Sequence, residues 1–239
     1  FRSGGTAGSW RASTVTFSIV GMCERTETAG VAITTSSISV GSRCPWVRAG
    51  AGAVATQNVT DPSIGNEMLD LMAHGADAPV ALAAVMYGRP FAEYRQVTAV
   101  DLSGNIAERT GTEILGTHAV SHGSQCVAAG NLLSSTRVPG AMTDGFSQYA
   151  DLHLAERLLC ALEAGVAAGG EEGPTHSAAL LVAGENAWPL VDLRVDWSDD
   201  PVGDLRNLWV RYQPQMNAYL DRALNPAAAP AYGVPGDLC

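Results

Sequence analysis

TFSIVGMCERTETAGVAITTS, residues 16–36, decides how the rest of the chain is read. TFSIVGMC (16–23) and GVAITTS (30–36) are runs of β-branched and apolar residues, and the polar ERTETA between them supplies a turn. That pattern predicts a β-hairpin. AGAVATQNV (51–59) reads as a third strand, closed by Asp61-Pro62. After it, Ile64, Met68, Leu69, Leu71 and Met72 recur at helical spacing up to a stop at Gly75, and DAPVALAAVMYG (77–88) is a second short helix. The opening is therefore β-β-β-α-α.

The remainder repeats the scheme. EYRQVTAVDLSG (93–104) and NIAERTG (105–111) read as a hairpin turning at Ser103-Gly104, and SQCVAAGNLL (124–133) as a strand running into a loop. Two helices follow, 138–149 and HLAERLLCALEAGVAAGG (153–170), the second amphipathic and stopped by a glycine pair. THSAALLVAG (175–184) and AWPLVDLRVDW (187–197) form a last hairpin, before a long C-terminal helix (200–224) interrupted near Pro214. Two sets of strands, each followed by helices, predict an α+β fold with two face-to-face sheets and helices outside. One domain over 16–224 is expected, preceded by a flexible Gly/Ser/Thr-rich extension (1–15). The Pro/Ala-rich tail (225–239) is expected to wrap its own domain or a partner subunit of a homo-oligomer.

Hydrophobic residues make up 46% of the 239 and charged residues 16%, enough apolar material for one core. A net charge of −10 without a basic block repels phosphate backbones and anionic membranes, so neither nucleic acid nor membrane is an expected partner. Small molecules and proteins are left as partners. Cys23, Cys44, Cys126, Cys160 and Cys239 form no CxxC pair and lie mostly in apolar runs, which reads as reduced thiols in a cytoplasmic protein. No run is long and apolar enough to span a membrane, and residues 1–15 lack the apolar core of a secretory signal. His118 and His122 have the spacing of a helical metal pair, but their surroundings favour strand and turn, and no third ligand is near. The glycines of GGEEG follow a helix and precede no lysine, unlike a phosphate-cradling loop. No cofactor is expected.

The segments TFSIVG, GVAITTSSISVGSRCPWVRAGAGAVATQNVTDP, Arg95-Gln96, GTH (116–118), AAGNLL (128–133), AERLLCALEAGVAAGGEEGPTHSAALLV (155–182) and VDLRVDW (191–197) together resemble the family called domain of unknown function 1028. That family resembles the N-terminal-nucleophile (Ntn) hydrolases. The resemblance implies a four-layer α-β-β-α sandwich and an amide hydrolase acting on a small C–N bonded metabolite, with Thr16 as nucleophile. A threonine hydroxyl needs a base, and in Ntn enzymes the base is the residue's own α-amine, whose reference pKa of about 7.7–8.0 suits neutral pH. Thr16 is internal as written, so its nitrogen is an amide. Cleavage of the Val15–Thr16 bond would free it, as would initiation at codon 15 with loss of the initiator Met, the favoured route. The plainer reading is a β-branched residue that merely opens a strand.

Asn131 follows Gly130 directly after a strand, where backbone N–H groups and the side-chain amide can face a developing oxyanion, or simply form a turn. By resemblance this Gly-Asn pair is fixed in the family. Gln57 would share the site if its strand neighbours the first, binding a substrate amide, or else it caps the following turn. Arg43, Arg48, Arg95 and Arg194 lie in or beside strands, where they either pair with Asp101, Asp192 or Asp196 or bind a substrate carboxylate. Of these, Arg43 and Arg95 are the substrate-binding candidates, with His176. The resemblance implies, for many relatives, an Asp-Arg-Arg-Gly type sequence before His176. Here Glu171-Glu172-Gly173-Pro174 stands instead, which points to a subgroup with its own ligand. Ser18 and Cys23 are weaker nucleophile candidates, lacking a base nearby. A different class also fits: a catalytically silent oligomeric binding or assembly protein on the same fold.

Overall fold

Strand β1 (Thr16–Cys23) is buried along its whole length because other elements cover both of its faces and both of its edges. The computed structural model describes residues 16–234; the expected extension 1–15 and the end of the tail, 235–239, lie outside the described residues. β1 pairs antiparallel with β2 (Thr28–Thr35), in a register that sets Thr16 opposite Thr35 and Cys23 opposite Thr28. Its other edge pairs antiparallel with β8 (Cys126–Asn131), Thr16 opposite Asn131. β7 (Ala119–Gly123), β9 (Ser177–Ala183) and β10 (Pro189–Val195) complete a six-stranded sheet of order β10-β9-β2-β1-β8-β7. A second, four-stranded sheet has the order β3-β4-β5-β6, built from β3 (Pro45–Arg48), β4 (Gly52–Asn58), β5 (Arg95–Asp101) and β6 (Ile106–Thr110).

Period-two alternation sorts the side chains into separate apolar layers. Phe17 and Ile19 of β1 join Met142 and Phe146 of α3 (Val138–Gln148), Leu158 and Leu162 of α4 (Leu154–Ala167), and Trp209 of α5 (Pro201–Tyr212). Val20 and Met22, on the opposite face of β1, join Val31 and Ile33 of β2 and Ala53, Ala55 and Val100 of the second sheet. On the far side of that sheet Val54, Val97 and Ala99 meet Ile64, Met68 and Leu69 of α1 (Ser63–Ala73) and Ala81 and Leu82 of α2 (Ala78–Met86). The molecule is mixed α/β, with antiparallel sheets, helices, and neither sheet closed into a barrel.

Three features differ from the sequence reading. PWVR (45–48) is a strand too short to carry a periodic signal, and it makes the opening β-β-β-β-α-α. Its Trp46 lies against α1, where only glycine fits: a Cβ on Gly65 would come within 2.2 Å of the Trp46 ring. Gln57 lies on β4, which is not an in-sheet neighbour of β1 but belongs to the facing sheet. Asp101, a candidate arginine partner, serves backbone instead. Its Oδ1 accepts from the N–H groups of Ser103 and Asn105, and its Oδ2 from that of Ala78 at the start of α2. The break near Pro214 is the turn Gln213–Gln215, after which α6 (Met216–Leu224) continues.

Candidate active site

The layer between the sheets changes character along β1. At the Cys23 end it is apolar; towards Thr16 it is lined by Thr16, Ser18, Thr35, Gln57, Gln96, Thr98 and Asn131, all buried. Gln57 and Gln96 face each other across β4 and β5, as Thr16 and Asn131 do across β1 and β8. The stacking of the two sheets then joins the pairs. Ser18 donates from its hydroxyl to Gln57 Oε1 at 2.6 Å, and Gln57 Nε2 donates to Gln96 Oε1 at 2.7 Å. Gln96 Oε1 also accepts from Asn131 Nδ2 at 3.3 Å, and Gln96 Nε2 donates to the Gly130 carbonyl at 3.3 Å. The Thr16 and Thr35 hydroxyls are 3.1 Å apart. Asn131 Oδ1 and Thr98 Oγ1 have no hydrogen-bond partner among the described residues.

Thr16, Gln57, Gly130 and Asn131 are thus brought together. Gln57 serves side chains rather than capping a turn. Arg43 and Arg95 are placed elsewhere: the Arg43 guanidinium donates to the carbonyls of Ile38 and Ser39 in its own loop, and that of Arg95 donates to the Val59 carbonyl. Arg95 directly precedes Gln96, so alternation turns it to the other face of the sheet. Arg48 pairs with Asp70, and Arg194 lies 3.5 Å from Asp196. His176 touches the site through its backbone, whose N–H donates to the Thr35 carbonyl at 2.7 Å. Its ring stacks on Trp197 at 4.4 Å, with Nδ1 3.1 Å from the Ser198 carbonyl oxygen.

The network linking the two sheets contains only hydroxyls, amides and a backbone carbonyl. Glu171, on the segment that bridges to Leu133, is a buried acid, 7% exposed, whose carboxyl oxygens have no well-formed hydrogen bond among the described residues. Burial pushes its pKa up to about 9, and the Ser36 backbone beside it only partly offsets that. Burial also pushes the Cys44 thiol to about 11 and that of Cys126 to about 12, which leaves both protonated at neutral pH. Burial opposes ionisation of Cys23 too, but hydrogen bonds with Thr26 and the Arg157 charge outweigh it and lower its pKa. Cys23 lies at the far end of β1 from Thr16. A cavity of about 740 Å³ opens at that same far end, lined by Thr28, His153, Trp188 and Leu220 among others.

Sequence reasoning missed Gln96 as a site residue, although a glutamine between Arg95 and Val97 in an apolar strand is a legible anomaly. Glu171 stood out in the sequence only as part of a departure from the family's loop, because nothing local in GGEEG shows that its carboxyl is buried.

Two facing antiparallel sheets, with a buried hydroxyl and amide network where an interior strand begins, define the class: a two-sheet α/β protein with a polar inter-sheet site. The chain belongs to the family of unknown function DUF1028, whose model matches residues 16–205. It is similar to the crystal structure of protein SPO2555 from Silicibacter pomeroyi, a DUF1028 protein, with 34% identity over 83% of this chain and 86% of that one, and a TM-score of 0.77. Anbu, the ancestral beta-subunit from Yersinia bercovieri, matches over 84% of this chain and 96% of its own with 10% identity and a TM-score of 0.41. No curated protein matches the chain. Among the described residues no helix is long and apolar enough to cross a membrane.

Proposed function

We propose that the protein is an Ntn-type amide hydrolase acting on a small C–N bonded metabolite, with Thr16 as nucleophile when that residue is first in the chain. On this reading the helix, sheet, sheet, helix succession is the four-layer α-β-β-α sandwich of that class. The observation that carries the proposal is the register at the start of β1, which sets Thr16 between Thr35 and Asn131 in one buried row. The freed α-amine takes the hydroxyl proton as Thr16 Oγ1 attacks the amide carbonyl, and Thr35 orients that hydroxyl from 3.1 Å. Asn131 Nδ2 has two hydrogens; Gln96 takes one, and the other is available to the oxyanion. Gln96 and Gln57 hold Asn131 in place across the sheets, which fixes a donor before charge develops. The amine returns the proton to the leaving nitrogen, and water then releases the acyl group from Thr16.

A homo-oligomer in the cytoplasm is part of the same proposal, with exposed Tyr87, Phe91 and Trp197 supplying apolar surface for contact between copies. The alternative, a catalytically silent binding or assembly protein, draws support from Thr16 being only 4% exposed. Protein beginning at Thr16 and the 239-residue chain are to be compared on one library of small amides. Hydrolysis by the first form alone, abolished by Thr16→Ala, is the expected result. Equal activity in both forms refutes the self-base mechanism, and no turnover in either favours the binding protein.

A further inference from the structure

Glu171 is a buried acid to which the proposed mechanism gives no role. Gly169 and Gly170 end α4 with φ of +115° and +55°, values an L side chain rarely adopts, and this turn folds the chain back over the start of β1. Glu171 then bridges to Leu133, two residues beyond Asn131, and its carboxyl lies beside the backbone of Ser36, one residue beyond Thr35. Asn131 and Thr35 are the partners of Thr16 on its two sides. In an antiparallel ladder the residue after a partner lies level with the position before the residue it pairs with. Ser36 is therefore level with the nitrogen end of Thr16, and Glu171 spans from Leu133 on the β8 side to Ser36 on the β2 side.

We propose that Glu171 is a positioning residue, the acidic partner that holds and orients the α-amine of Thr16 once that residue is first in the chain. The proposal rests on the reading of Thr16 as nucleophile only in giving that amine a task. Among the described residues no cation is paired with this buried carboxyl, which makes its ionised form costly, and an ammonium arriving at the nitrogen end of β1 relieves that cost. Other titratable groups on the surrounding elements are Glu172 and His176 on the same segment, Glu113 and His118 on the stretch bonded to Leu132 and Leu133, and Arg137 at the start of α3. None of them is hydrogen-bonded to Glu171 or ion-paired with it.

The test is a titration of the Thr16 α-amine in protein beginning at Thr16, followed through the Thr16 Cβ shift in 13C-threonine-labelled protein. A carboxylate within reach of the amine raises the amine's midpoint, so Glu171→Gln should lower it by about 1–3 pH units. Glu171→Asp, with a shorter side chain, should give an intermediate midpoint, and Glu172→Gln the unmodified one. Midpoints that agree within about 0.3 unit between the unmodified protein and Glu171→Gln overturn the proposal. Should Glu171→Gln not fold, an unmoved midpoint in Glu171→Asp overturns it instead. The readout requires no turnover: a shifted midpoint in a protein without amidase activity sinks the hydrolase reading and leaves the role of Glu171 standing.

Discussion

Glutamine in place of Glu171 keeps the shape of the side chain and removes its proton, which makes the burial of that carboxyl measurable as a pH dependence of stability. In the 239-residue chain burial raises the Glu171 pKa from the ordinary 4.5 to about 9. Below pH 4.5 both folded and unfolded chains hold the proton, and the group adds no pH dependence. Between 4.5 and 9 the unfolded chain loses the proton while the folded chain keeps it, so stability falls as pH rises, at about 1.4 kcal/mol per unit. Between pH 5 and pH 8 the loss amounts to about 4 kcal/mol. Glu156 and Asp61, whose pKa values are lowered by Arg206 and Arg89 against the effect of burial, titrate alike in both proteins and cancel in the difference. Urea unfolding of unmodified protein and Glu171→Gln at pH 5, 6, 7 and 8, followed by tryptophan fluorescence, gives that difference directly. The variant should gain about 4 kcal/mol on the unmodified protein across the series. A difference that stays constant within about 0.5 kcal/mol would refute the reasoning, since the carboxyl must then already be solvated or paired.

Gln96→Leu strands the Gln57 and Asn131 side-chain amides and the Gly130 carbonyl between the sheets; at about 1–3 kcal/mol per stranded group, urea unfolding should show a loss of about 3–9 kcal/mol. Asn131→Ala removes a buried oxygen that has no partner together with one long hydrogen bond, so stability should change by less than about 1 kcal/mol while turnover on an amide substrate falls about 10²-fold. Steady-state kinetics beside calorimetry separates those two effects. Gly65→Ala, favourable for a helix by propensity alone, forces a Cβ to within 2.2 Å of Trp46; calorimetry should show a loss of about 1–3 kcal/mol.

The elements were legible where length and period agreed. Strand β1, its hairpin with β2, the amphipathic α4 and the break at Pro214 each follow from a local pattern, and the helix stop at Gly169-Gly170 from two residues that adopt positive φ. PWVR was not legible. Four residues cannot establish a period-two alternation, and their strand is placed by its ladder with β4 and by Trp46 packing on Gly65, a contact between positions nineteen apart. Arg43 and Arg95 illustrate the same limit from the side of the site. An arginine near a strand in an acidic protein invites a search for a carboxylate, yet the Arg43 guanidinium donates to the carbonyls of Ile38 and Ser39 and that of Arg95 to the carbonyl of Val59, acceptors that only the folded loops present.

The candidate site itself was half legible, and the missing half has one physical cause. Thr16, Gly130 and Asn131 share a sheet, so strand order and register bring them together, and both are constrained by hydrophobic alternation along the chain. Gln57 and Gln96 lie on the other sheet, and nothing local in sequence says which residues of two stacked sheets will touch, because that depends on how the whole faces pack. What the alternation does show is that Ala53, Ala55 and Gln57 share one face of β4, as Thr16, Ser18, Val20 and Met22 share one face of β1. Stacking those faces with apolar against apolar leaves Ser18 and Gln57 to meet at the polar end, where neither buries its hydrogen-bonding groups against aliphatic carbon. The need to satisfy polar groups thus fixes the relative placement of the sheets, and the same contacts hold Asn131 across from Thr16.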